Sequence, residues 1–202
     1  MGKIKKILSF VFAALIILSV FSACGCTKKI SEDEAKAHIK RLVDASYEVN
    51  VIVYEGLPYF DRIDTQGMLY APVNDTTKYS KTADIKLAIR KVFSSDYSKI
   101  LESLAFEGQE GASFGYHTQP RYIDRDEELL VLKDFYETDF ESEEYGTYEG
   151  IKVLKYDTSN IEIVKISKRF VEGKVTSEDG KTQITVTLIL EDGEWKLDSP
   201  TY

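Results

Sequence analysis

The stretch Gln183-Ile184-Thr185-Val186-Thr187-Leu188-Ile189-Leu190-Glu191-Asp192-Gly193-Glu194-Trp195-Lys196-Leu197 decides the fold class. Ile184, Val186, Leu188 and Leu190 alternate with polar or β-branched residues, the period of a strand with one face on a core. Asp192-Gly193 then marks a two-residue hairpin turn, because both central positions need φ > 0. Residues 194–198 read as the closing strand, with Trp195 under the sheet or on its rim. Asp179-Gly180 is a second such turn, which makes the C-terminal part an antiparallel meander. Upstream of it, residues 161–175 read as one long strand and 151–156 as a short one. Residues 121–123 and 129–132 flank 124–128 as a hairpin. Residues 134–150 are acidic and aromatic together and suit a long exposed loop.

The N-terminal half has a different period. Ser31-Glu32-Asp33-Glu34 forms a capping box, in which the serine hydroxyl takes the Glu34 N–H and the Glu34 carboxylate reaches back. Ala35, Ile39, Leu42, Val43 and Val49 follow at helical spacing and predict a helix over residues 32–48. The β-branched run at 49–54 is compatible with more helix or with a strand, and Gly56 and Pro58 end either. Tyr70-Ala71-Pro72-Val73 suits a short edge strand, since proline cannot serve a central ladder. A second helix is predicted over 83–93, with Ile85, Ala88, Ile89, Val92 and Phe93 on one stripe. A third follows, capped by Ser95, with a stripe of Tyr97, Ile100, Leu101 and Leu104. Residues 107–118 hold Gly108, Gly111 and Gly115 without the order of a phosphate-binding loop, and read as flexible. Helices first and a meander afterwards predict an α+β fold, the helices packed on an antiparallel sheet in one lobe or two.

The first residues carry an address. Lys3, Lys5 and Lys6 precede a charge-free run of about 17 residues, and Phe21-Ser22-Ala23-Cys24 closes it with small residues before a cysteine. This resembles the signal of a bacterial lipoprotein, which implies that Cys24 becomes the first residue and takes a lipid, with Cys26 as a second acceptor. An uncleaved membrane helix and an ordinary secretion signal are the other readings, and the run is at the short limit for a span. The expected layout is a signal over 1–23, a tether over 24–30 and one α+β domain over 31–202, helical over about 31–106 and sheet over about 119–202. The tether reaches about 20 Å when extended, close to the membrane face.

Cys24 and Cys26 are the only cysteines, so the body after them has no disulfide, thiol nucleophile or cysteine metal site. The chain carries a net charge of −8, and loss of the three signal lysines takes it to −11. Such a body repels phosphate backbones and anionic lipid, which argues against nucleic acid and leaves only the lipid to hold the membrane. Cationic grooves on other proteins are its electrostatic match.

Reactive chemistry is sparse. His38 falls four residues after Glu34 and reads as a helix-surface pair. His117 sits in the glycine-rich loop without marked partners. Asp124, Asp126 and Glu128, like Glu137, Asp139 and Glu141, alternate acids that could hold calcium. Neither run has the glycine and closing glutamate of an EF-hand, so a solvated acidic face is the better reading. No G-x-S-x-G is present, and nothing singles out one carboxylate pair. No catalytic residue, metal or cofactor is expected, which leaves binding. Tyr59, Tyr79, Tyr116, Tyr136, Tyr145 and Tyr148 fall in expected loops, where tyrosine gives contact area at low entropic cost. Around 134–148, Phe135, Tyr136, Phe140 and Tyr145 are candidate anchors, and Asp139, Glu141, Glu143 and Glu144 candidate steering charges. The alternative is that these aromatics pack back on the sheet.

The order of these elements is similar to that of a known family. A lipoprotein tether, a capped helix ending near Gly56-Leu57-Pro58, and Tyr70-Ala71-Pro72-Val73 come first. A helix pair closing in Asp96-Tyr97-Ser98-Lys99-Ile100-Leu101-Glu102-Ser103-Leu104 follows, then Arg121-Tyr122-Ile123, Leu129-Leu130-Val131-Leu132 and a terminal Asp192-Gly193-Glu194-Trp195-Lys196-Leu197-Asp198. Together they resemble the IseA-type inhibitors of cell-wall DL-endopeptidases across nearly the whole mature chain. The resemblance implies a monomeric, lipid-anchored protein on the extracytoplasmic face that occludes NlpC-type cysteine peptidases without catalysis. The contact would lie at 134–148, or at 107–118 as the competing loop. The closing Asp-Gly-Glu-Trp-Lys element is also similar to NTF2-like domains, which implies instead a small-ligand or carrier lipoprotein with a deep apolar pocket between helix and sheet.

Overall fold

The computed structural model describes residues 29–60, 69–108, 119–133, 139–142, 146–149 and 153–202. Cys24, Cys26, His117 and most of the loop at 107–118 lie outside the described residues. The fold is α+β, with the helices first, as the periodicity predicts.

Helix α1, Glu32–Asn50, opens on the expected capping box: Ser31 N–H donates to Glu34 Oε2 at 2.8 Å and Glu34 N–H to Ser31 Oγ at 3.2 Å. Its buried face is Ala35, Ile39, Leu42, Val43, Ser46 and Val49. The ambiguous run continues as helix and then widens into a π-helical turn, Val51–Glu55. The wide turn brings Ile52, Val53 and Tyr54 into the core at successive positions. Gly56 ends it at φ 90°, a conformation that disfavours any Cβ. Carbonyls freed at this helix end need other donors. The buried Tyr122 hydroxyl donates to Ile52 O at 2.7 Å and accepts from Leu57 N–H at 2.9 Å.

Strand β1, Tyr70–Pro72, is the expected edge strand of a three-stranded sheet ordered β1-β3-β2, with β2 Tyr122–Arg125 and β3 Glu128–Leu132. The Leu-Leu-Val-Leu run of β3 is apolar throughout because both of its faces are covered. Leu129 and Val131 join the main core, while Leu130 and Leu132 pack with Tyr70 and Ile123. The β2–β3 turn puts Asp126 at φ 51° and Glu127 at φ 68°, left-handed positions without a glycine.

Helices α2, Thr82–Val92, and α3, Ser95–Phe106, are joined across their surfaces by a two-bond Arg90–Glu102 pair at 2.6 and 2.7 Å. The cap of α3 is Ser94 and not Ser95: Tyr97 N–H donates to Ser94 Oγ, while Ser95 bonds Glu191. The buried stripe is Ser98, Leu101 and Ala105, and Ile100, expected inside, is 54% exposed.

The meander is a four-stranded sheet in the order β6-β7-β8-β9: Tyr156–Ile166, Phe170–Ser177, Gln183–Glu191 and Glu194–Leu197. Three sequence readings need correction. The single strand expected over 161–175 is the hairpin β6–β7. Its turn carries no glycine, proline or asparagine and is closed by Ser167 N–H donating to Phe170 O at 2.8 Å. The strand expected over 151–156 begins only at Tyr156, with 153–155 irregular and Ile151 and Lys152 outside the described residues. The loop expected over 134–150 contains a ribbon, β4 Asp139–Ser142 paired with β5 Gly146–Glu149. The Asp192-Gly193 turn takes positive φ at both positions, as expected, but the two-residue turn expected at Asp179-Gly180 is a longer loop between Ser177 and Gln183, with Gly180 alone at positive φ and Ser177 N–H donating to Thr182 O at 2.7 Å.

Helix α1 lies against β6 and, at the sheet's other edge, β9. Ile39 reaches over Gly173, where a Cβ would stand 2.6 Å from Ile39 Cδ1. One buried cluster joins α1 (Ile39, Leu42), α2 (Ile85, Ile89) and the meander (Val171, Val186, Leu188, Leu197). The last residues bind it from below: Asn50 Nδ2 donates to Thr201 O at 2.8 Å, Thr201 Oγ1 to Ser46 Oγ at 2.8 Å, and Ser94 N–H to Leu197 O at 2.7 Å.

Candidate functional site

Of the eight residues read as a partner-binding set, Asp139, Phe140 and Glu141 lie on β4, while Phe135, Tyr136, Glu143, Glu144 and Tyr145 lie outside the described residues. The β4–β5 register pairs Asp139 with Glu149, Phe140 with Tyr148, Glu141 with Thr147 and Ser142 with Gly146. A strand alternates its faces residue by residue. Positions 139, 141 and 149 therefore share one face of the ribbon and carry its acids. Positions 140 and 148 share the other and carry its aromatics.

Other candidates resolve into structure. His38 feels the Glu34 charge, as its spacing predicts, while the Glu34 carboxylate also accepts from Ser31. Its ring centroid stands 5.9 Å from that of Trp195, and burial, then the Arg41 charge, depress its pKa below the ordinary histidine value. Trp195 itself is buried under this helix face. Tyr79, read as a loop anchor, is buried, and its hydroxyl donates to Glu48 at 2.7 Å; desolvation and that carboxylate push its pKa up. Tyr59 is half-buried and bridges Val73, Tyr148 is on β5, and Tyr116 lies outside the described residues. Of the acids at 124–128, Asp124 ties down α2, accepting from Thr82 N–H at 2.9 Å and from its hydroxyl at 2.6 Å. Among the described residues no three histidine, cysteine or acidic side chains cluster as metal ligands.

The interface between α1 and the meander is filled. Ile39, Leu42, Val171, Val175, Val186 and Leu188 have no exposed surface. Among the described residues, two cavities stand out. A groove of about 290 Å³ runs between the 72–80 segment and the Glu127–Glu128 turn. A smaller one of about 140 Å³ lies between α1 and the start of β6, lined by Tyr47, Lys155 and Tyr156 among others. Neither was legible in sequence, because each joins residues more than 45 positions apart with no local motif to mark them. No protein-family model and no curated protein matches this chain.

Proposed function

We propose that the chain is a non-catalytic lipoprotein, held through Cys24 at the extracytoplasmic face of the cell membrane, that binds and occludes a cell-wall cysteine peptidase of NlpC type. The resemblance in element order supplies the peptidase class. The observation that supports a binding role is the two-faced β4–β5 ribbon, with Asp139, Glu141 and Glu149 on one side and Phe140 and Tyr148 on the other. Substrates of such peptidases, peptidoglycan stem peptides, carry carboxylates, so their grooves tolerate negative charge. An acidic ribbon whose backbone is paired within itself offers that charge without an extended, cleavable segment. The net charge of the chain adds long-range attraction to any cationic rim. Phe135, Tyr136 and Tyr145 complete the anchor set, and Glu143 and Glu144 the charges, in this reading. The small-ligand carrier of NTF2-like form has less support, since the filled α1–sheet interface leaves no room for its deep pocket.

The test is inhibition of purified DL-endopeptidases by the full-length chain in detergent micelles. Replacing Asp139, Glu141 and Glu149 with their amides should weaken inhibition and flatten its salt dependence, mainly through a slower association rate. Undiminished inhibition by the triple variant removes the ribbon from the mechanism. Absence of inhibition by the parent chain across the enzyme class removes the function.

A further inference from the structure

The charge of the chain is not spread evenly. Its net value is −8, yet the tip of the β6–β7 hairpin, Ile163-Val164-Lys165-Ile166-Ser167-Lys168-Arg169-Phe170-Val171, carries three cations and no acid. Lys165, Lys168 and Arg169 are exposed, and none of them is ion-paired among the described residues. Lys165 has Glu172 opposite it in the ladder, but its Nζ lies over the Phe170 ring, 5.5 Å from the centroid. Arg169 donates from Nη2 to Leu190 O at 3.3 Å. Val164, at the slip in register, is 46% exposed. Cations around an exposed aliphatic side chain fit a surface that is anionic outside and apolar just beneath. The whole chain is repelled by such a surface, and the tip has the opposite sign.

The fold decides where this tip points. Going back along α1, Tyr47 lies under Lys155, Asp44 and Lys40 bond Thr158, and Ile39 reaches Gly173, the ladder partner of Ile163. Helix α1 therefore runs antiparallel to β6. From Ile39 back to Ser31 the helix covers about 12 Å, and from Ile163 to Ser167 the strand covers about 13 Å. The start of α1 and the hairpin tip thus reach the same end of the molecule. Exposed Lys29 adds a fourth cation there, and Ile30 packs on the core. The tether expected before them holds this end within about 20 Å of a membrane. The acids of the same end lie on α1 and at the β8–β9 turn. Glu32 and Glu194 pair with Lys36 and Lys196, and Glu34 and Glu191 accept from Ser31 and Ser95. None of them is paired with a tip cation.

We propose that the β6–β7 tip is a second membrane contact. Lys165, Lys168 and Arg169 engage the phosphates of anionic lipid, and Val164 enters the interfacial layer. The contact fixes the orientation in which the tethered domain stands. The inference rests on the lipid-anchor part of the proposed function and is independent of the peptidase reading.

The experiment reconstitutes the full-length chain in vesicles of phosphatidylcholine, alone or mixed with phosphatidylglycerol, both doped with brominated lipid that quenches tryptophan. Val164→Trp places a probe on the tip, and Lys181→Trp places one in the loop at the opposite end of β7. Trp195 in the parent chain gives the baseline. The expected result is quenching of Val164→Trp beyond that baseline on the anionic vesicles only, reversed by raised salt, with Lys181→Trp unquenched. Each cation near an anionic leaflet strengthens binding about fivefold. Changing Lys165, Lys168 and Arg169 together to glutamine should therefore lower the docked-to-free ratio of the Val164→Trp chain about a hundredfold. Flotation with neutral vesicles measures the anchor by itself. A chain that floats but leaves Val164→Trp at baseline overturns the tip contact alone, and a chain that floats with neither vesicle overturns the anchor and the contact together. Equal quenching on neutral vesicles, in the glutamine variant or at Lys181→Trp also overturns the contact. A response of Val164→Trp to soluble polyphosphate without quenching on vesicles assigns the tip to an anionic polymer and overturns the membrane.

Discussion

Gly173→Ala tests how closely α1 sits on the meander. The new Cβ would stand 2.6 Å from Ile39 Cδ1 and 3.1 Å from the Glu162 carbonyl oxygen. Carbon atoms in contact rest at about 3.5–4.0 Å, so Ile39 must yield by about 1 Å. It has little freedom to do so, being fully buried, and the Glu162 carbonyl is part of the β6–β7 ladder. Overpacking of this kind costs about 1–3 kcal/mol, against which the lost flexibility of glycine returns about 0.5–1 kcal/mol. The net expectation is a loss of about 1–2 kcal/mol. Ile39→Val removes the offending methyl and alone costs about 0.5–1.5 kcal/mol. If contact with Cδ1 is the cause, the double variant should be no more than slightly less stable than Ile39→Val alone. Urea unfolding midpoints at constant m-value measure all four corners of this cycle. Additive losses within about 0.5 kcal/mol would refute the assignment of the glycine to helix–sheet contact.

Three further outcomes follow from the same structure. Tyr122→Phe leaves Ile52 O and Leu57 N–H buried without their shared hydroxyl, two bonds of about 1 kcal/mol each, so a loss of about 2 kcal/mol is expected in chemical unfolding. Replacing Asp126-Glu127 by Asn-Gly relieves two left-handed non-glycine positions and should raise stability by about 1 kcal/mol, with unchanged circular dichroism. His38 is harder to protonate in the folded chain than in the unfolded one, whose imidazole titrates near pH 6.5. Its contribution is therefore constant above about pH 6.5 and is lost as pH falls toward the folded value. Trp195 is the only tryptophan, so its fluorescence, quenched by a neighbouring imidazolium, should report that step, and His38→Gln should abolish it.

The parts of the fold legible in the sequence are those with a local physical signature. The Ser31–Glu34 cap, the buried face of α1, the Pro72 edge strand and the Asp192-Gly193 turn each draw on residues within one turn of one another, and each is found as read. The failures share another cause. The β6–β7 turn is made by Ser167 and ordinary backbone, so Lys165-Ile166-Ser167-Lys168-Arg169 gives no punctuation to read. Opposite Gly173 and Glu172, β6 slips register at Val164, and its residues 158–161 stand opposite Val175 alone. Such bulges blunt an edge strand against unwanted pairing but leave no periodic trace. Ser94 beat Ser95 as a cap because Ser95 had Glu191 to bond, a contact 96 residues away. The pairing of 139–142 with 146–149 has no local signature, because neither segment carries the apolar alternation of a half-buried strand.

The two buried tyrosines Tyr122 and Tyr156 show why composition cannot assign roles. Each begins a strand, each is under 10% exposed, and each follows a basic residue, Arg121 or Lys155. Tyr122 spends its hydroxyl closing the wide turn that ends α1, where one oxygen serves both the Ile52 carbonyl and the Leu57 N–H. Tyr156 points the same chemistry at nothing in the free protein. A hydroxyl bonded twice within the fold should lower the melting temperature when removed, by about 4–8 °C for about 2 kcal/mol in a chain of this size. A hydroxyl bonded to nothing should leave it unchanged or raise it. The comparison of Tyr122→Phe with Tyr156→Phe under identical conditions therefore separates a hydroxyl that the fold uses from one that it does not, and equal losses in the two would show that the distinction does not exist.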